Sequence, residues 1–156
     1  MRVESRATER IMAQLLVAAT LAVPIAAIGW FEIGYLWFGV TGEDPPGAVN
    51  LAAAVIAFAG TLAWTLRGRQ STADVVRAGC QLGIALSITL PVVTISVLLM
   101  WVNASGRRDL GMGGLALYSI PVVAFVAAII LVIAFGIGRR LAQKRLKATD
   151  VRMPAQ

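Results

Sequence analysis

Histidine is absent from this 156-residue chain, and cysteine occurs once, at Cys80. Those absences remove the usual zinc sets, any Ser-His-Asp or Cys-His constellation, and any disulfide within the chain. Charge is scarce as well. Only 14% of the residues are charged, against about 25% in an ordinary soluble domain. The acids are the rarer sign: Glu4, Glu9, Glu32, Glu43, Asp44, Asp74, Asp109 and Asp150. All eight fall at the ends of apolar runs or between them. Glu32 with Glu43 or Asp44 is the one outer cluster among them, and it lacks the nucleophile–base set of a hydrolytic site. The reading is therefore no enzyme, no cofactor and no metal.

What is present is apolar. Hydrophobic residues make up 58% of the chain, more than a soluble domain of this size can hide. Four runs stand out, at about 11–31, 49–66, 80–102 and 117–137. Each is close to the ~20 residues that cross a ~30 Å hydrocarbon core as helix. A spanning segment must satisfy its backbone internally, so helices are expected. The ~10-residue alternating segments of a transmembrane barrel are missing. The expected fold is all-α: one integral membrane four-helix bundle with a basic tail over 138–156.

The net charge of +6 also fits nucleic acid, but the basic residues gather at the ends of the apolar runs. A membrane surface is the better reading, with no direct nucleic-acid contact. Twelve basic residues fall on one side: Arg2, Arg6, Arg10, Arg67, Arg69, Arg77, Arg139, Arg140, Lys144, Arg145, Lys147 and Arg152. The other side has Arg107 and Arg108. The positive-inside rule then places both termini in the cytoplasm, and the expected location is the bacterial inner membrane. The first run is too long for a signal-peptide core and lacks a clear cleavage site, so it is read as a retained span. Asn103-Ala104-Ser105 fits a glycosylation sequon, a weak motif this close to a membrane.

The most unusual stretch is "GWFEIGYLWFGV" (29–40), where Glu32 sits among five aromatic residues. Counting from Ile11 at ~1.5 Å per residue brings the helix to the far side near Trp30 and Phe31. Glu32 then falls at the outer interface, within an aromatic belt of Trp30, Phe31, Tyr35, Trp37 and Phe38. The alternative is a Glu32 that faces the bundle and pairs with Arg107 or Arg108. Residues 33–40 either extend the helix or lie along the surface.

Three prolines interrupt runs: Pro24, Pro91 and Pro121. Pro24 and Pro91 lie well inside and free the carbonyls of Thr20 and Ser87, predicting kinks. The third run also carries Ser87, Thr89, Thr94 and Ser96. Ser87 shares a face with Thr94, and Thr89 with Ser96. Such hydroxyls either line a polar pathway or bond to their own helix. Ala53 and Ala57, and Gly79 and Gly83, fit small-residue packing within the bundle. Cys80 is read as an inert small residue, with palmitoylation as the alternative.

"RGRQSTADVVRAG" (67–79) contains a helix start, with Ser71 as the capping hydroxyl and Asp74 three residues later. The tail continues the fourth run as a basic helix. Arg139, Arg140, Lys144, Arg145 and Lys147 would meet anionic lipid headgroups, each adding ~1 kcal/mol near the surface. A plain topology anchor is the equal alternative.

"ADVVRAGCQLGIAL" and the ending "DLGMGGLALYSIPVVAFVAAIILVIAFGIGRRLAQKRLKATDV" resemble the DUF2975 family of small bacterial membrane proteins over about residues 65–150. Ser71-Thr72, Arg77 and Gly79 match the family's basic turn and "xNxxRLxxxG" pattern. Asp74 stands near the family's asparagine, the family's phenylalanine is missing, and the tail is basic where the family's is acidic. The resemblance implies four membrane helices without a known activity, and a regulatory partner. The functional expectation is a non-enzymatic accessory, regulatory or assembly subunit that contacts lipid and either another membrane protein or itself. The alternative is a small oligomeric transporter or channel. It is motivated by Glu32, Pro24, Pro91, Ser87 and Thr94, since transport sites use broken helices.

Overall fold

The computed structural model describes residues 2–68, 71–105 and 112–150, with side chains over 8–68, 71–103 and 119–145. Four helices follow in chain order: α1 (Arg2–Thr41), α2 (Gly47–Leu66), α3 (Thr72–Ser105) and α4 (Met112–Asp150). All four are long and apolar enough to cross a membrane. The all-helical fold is as expected.

The helix ends follow local chemistry. The Thr41 hydroxyl donates to the Trp37 carbonyl at 2.8 Å, and Gly42 takes a left-handed φ of 75°. The Gly42 N–H donates to the Phe38 carbonyl at 2.8 Å, and Pro45-Pro46 prevent continuation. At the start of α3 the Asp74 N–H donates to Ser71 Oγ at 3.2 Å. The Ser71 hydroxyl donates back to Asp74 Oδ2 at 2.6 Å. This is the cap read from "STAD", and the helix it starts runs unbroken into the third apolar run. Residues 33–40 extend α1, and 138–150 extend α4.

Close approaches set the directions. A Cβ on Gly79 would lie 2.7 Å from Leu21, and one on Gly39 2.5 Å from Val97. Thr89 hydrogen-bonds Glu32 between those two levels. Residue numbers rise together with an offset of 57–58, so α1 and α3 run parallel. Gly34 lies against Asn50 and Gly29 against Ala57, so α2 runs antiparallel to α1. Gly83 lies against Phe135 and Gly138 against Cys80, so α4 runs antiparallel to α3.

The backbones of α1 and α2, α1 and α3, and α3 and α4 pack closely, and α2 touches α3 lightly. Among the described residues α4 makes no close backbone approach to α1 or α2. Two apolar clusters mark the core. Ile25, Cys80 and Phe135 form one, and Ile28, Leu90 and Ala124 the other. Cys80 is therefore a buried packing residue, 2% exposed. Most large apolar side chains point outward, and at most 28% of each apolar window is buried. An interior this thin is filled by small residues and hydroxyls.

The first apolar run, expected over about 11–31, lies within a longer helix. Beyond that run α1 continues as helix to Thr41. The offset of 57–58 puts the start of the 80–102 run level with about residue 22 of α1 and carries that run to the end of α1 at Thr41.

Candidate functional site

The sequence count placed Glu32 at the end of a span. In the structure it stands level with Thr89, near the middle of the third apolar run, and a few residues into α2, whose Asn50 lies against Gly34. The count assumed that α1 begins to cross at Ile11. Heights in a bundle are set by contacts between helices, here Leu21 on Gly79 and Val97 on Gly39.

Glu32 is half-buried on the α1–α3 seam. Thr89 Oγ1 donates to its Oε1 at 2.6 Å, and the same hydroxyl lies 2.7 Å from the Leu86 carbonyl. A hydroxyl carries one proton for these two acceptors. If the acid itself is protonated, it donates to Thr89, which then donates to Leu86, and every short contact holds a proton. Arg107 and Arg108, the expected partners, lie outside the described residues.

The other sequence candidates are not gathered around Glu32. Ser87 and Thr94 are fully buried, while Thr89 and Ser96 lie on an exposed face, as their spacing predicts. The Ser87 hydroxyl donates to the Gly83 carbonyl at 2.7 Å. That of Thr94 lies 3.1 Å from both the Leu90 and Pro91 carbonyls, and that of Ser96 donates to Val92 at 2.8 Å. The strip is thus bonded to its own helix, and only Thr89 reaches across. α1 continues through Pro24 and α3 through Pro91. Arg140 and Lys144 are exposed, whereas Arg145 also lines a groove against Thr72, Ala73 and Val76 of α3. The side chain of Lys147 lies outside the described residues.

Two features were not singled out from the sequence. The first is an apolar cleft of about 460 Å³ between α1 and α4, lined among others by Pro24, Ile28, Leu90, Val123 and Ala127. The second is a pocket of about 340 Å³ toward the end of α1, lined by Trp30, Tyr35, Phe38, Asp44 and Asn50. Phe31 and Ile120 line both, so the two adjoin. Phe31 and Tyr35 stack at 5.8 Å with their planes 7° apart. Tyr35 is 8% exposed, and neither its hydroxyl nor the Oδ1 of Asn50 has a hydrogen-bond partner among the described residues. A sequence signal for Asn50 existed, since it is the only amide in the 49–66 run.

Comparison with known proteins adds no relative: the chain matches no protein-family model, no curated protein and no solved structure.

Proposed function

We propose that this chain is a non-enzymatic, multi-pass membrane protein acting through helix and lipid contacts as an accessory, regulatory or assembly subunit. The observation that carries the reading is the open packing. α1 and α3 form a spine, α2 and α4 flank it without a close backbone approach to each other among the described residues, and long apolar faces are left outward. Polar side chains that a path would need are turned onto their own helices. Such faces suit lipid and the helices of a partner or a second copy.

The charge distribution supports an orientation with the Arg10, Arg77 and Arg140 ends in the cytoplasm, in the bacterial plasma membrane. In that orientation Arg139, Arg140 and Lys144 meet anionic headgroups. The resemblance to the DUF2975 family supports a regulatory partner. The test is mild-detergent purification from the native membrane, followed by mass spectrometry of what co-elutes. A stoichiometric partner protein is expected. A homo-oligomer alone would reject the subunit reading.

A second reading, transport by an oligomer, is favoured by one observation: Glu32 stands level with the middle of the third apolar run and has a cross-helix partner there. An ionisable group at that depth is a functional candidate by default. Proton-coupled flux in liposomes that is lost in Glu32→Gln would establish it. Flux equal to that of empty liposomes would remove it.

A further inference from the structure

We propose that the α1–α4 cleft and the pocket at its end form one binding site for a single-chain, uncharged amphiphile with a hydroxyl-bearing head. The inference rests on the reading that the chain lies in a bilayer, which supplies such molecules.

The cleft is apolar, and its size falls in the usual range of about 300–1,000 Å³ for ligand pockets. An aliphatic chain fits between Ile28 and Val123, over Leu90. The adjoining pocket is where polarity begins. Buried polar groups are normally hydrogen-bonded, and leaving one unpartnered costs about 1–3 kcal/mol. Two such atoms belong to residues that line this one pocket, the Tyr35 hydroxyl and Asn50 Oδ1. Their chemistry is complementary to an alcohol. Tyr35 donates to the ligand oxygen, and the ligand hydroxyl donates to Asn50.

The remaining walls restrict the head further. Trp30 and Phe38 offer ring faces, and Asp44 is exposed at the pocket. A carboxylate there repels a phosphate-bearing head, which selects a neutral one. The order of the two pockets along α1, Ile28 in the apolar part and Tyr35 in the polar part, fits a head toward the end of α1 with its chain running back along the helix.

The test uses the full chain in phosphatidylcholine nanodiscs with a mono-oleoylglycerol analogue carrying a diazirine in its acyl chain. Labelled residues are mapped by mass spectrometry. Labelling is expected on the α1 and α4 walls of the cleft. It should be competed by unlabelled mono-oleoylglycerol and not by the anionic lyso-phosphatidylglycerol. Tyr35→Phe should weaken labelling about fivefold, the effect of losing one ordinary hydrogen bond. Ala127→Phe, which fills the cleft without touching the polar pocket, should abolish it. Even labelling of all four helices, or labelling unchanged in both variants, overturns the site. Loss in Ala127→Phe with no change in Tyr35→Phe overturns the head assignment. A chain that fails to enter nanodiscs overturns the membrane reading beneath it, a result distinct from insertion without cleft labelling.

Discussion

The α3–α4 seam and the α1–α4 cleft are lined by the same apolar residue types, yet only the seam closes. At the seam, two of the close contacts are made on glycine. Phe135 lies over Gly83, and Cys80 over Gly138. Without Cβ atoms the backbones approach, and dispersion contacts replace space. Across the cleft, Pro24, Ala27, Ile28 and Phe31 face Ser119, Ile120, Val123 and Ala127. Every one of these carries a Cβ, and the helices stay apart. Helix association in lipid has little hydrophobic driving force, so the distribution of small residues decides which faces meet.

The strongest way to break that contrast is to fill the closed seam. A Cβ on Gly83 would lie 2.6 Å from the Phe135 ring, too close for either to stay in place. Gly83→Val should cost about 1–3 kcal/mol by overpacking. The reading is the midpoint of SDS-induced unfolding in a fixed detergent. Adding Phe135→Ala should recover part of the loss, giving a clear coupling in the double-mutant cycle. Strictly additive effects would show that the two residues do not meet.

The Glu32–Thr89 pair ranks next. Cross-helix hydrogen bonds in membrane proteins average about 0.6 kcal/mol and reach about 1.7. A short bond to a carboxyl group belongs in the upper half of that range. A cycle of Glu32→Ala and Thr89→Val should therefore show coupling of about 1 kcal/mol or more, read by the same unfolding midpoint. Zero coupling would show that the two side chains do not interact.

Gly34→Ala bears on the open side. The added Cβ would stand 2.9 Å from Asn50 Oδ1. The amide is at the end of a rotatable side chain, so it can move, at about 1 kcal/mol for an off-rotamer position. Stability should change little more than that, while the amphiphile labelling should fall. Unchanged labelling would separate Asn50 from the ligand.

These contrasts also show what a sequence can carry. Four helices, the Ser71 cap and the two hydroxyl faces of α3 were legible, because each depends on residues within a few turns of one another. The partner of Glu32 was not. It depends on the register between α1 and α3, which Gly79, Thr89 and Val97 fix from more than fifty residues away. The cleft was illegible for the same reason. It exists because one pair of faces lacks glycine at facing positions, and facing positions are known only after the helices are placed.

The smallest expected effect isolates this role of glycine within one turn of α4. Gly136 and Gly138 are two residues apart on the same helix. A Cβ on Gly138 would stand 3.0 Å from Cys80 Sγ, whereas one on Gly136 would meet nothing within 4 Å. Gly136→Ala removes backbone freedom from the unfolded chain at no steric cost, so it should stabilise by about 0.5 kcal/mol. Gly138→Ala gains the same term and meets the sulfur, so its net effect should be near zero or slightly destabilising. The sign of the difference is the useful quantity. If Gly138→Ala raises the unfolding midpoint as much as Gly136→Ala does, the α3–α4 seam has slack, and glycine does not explain why it closes while the cleft stays open.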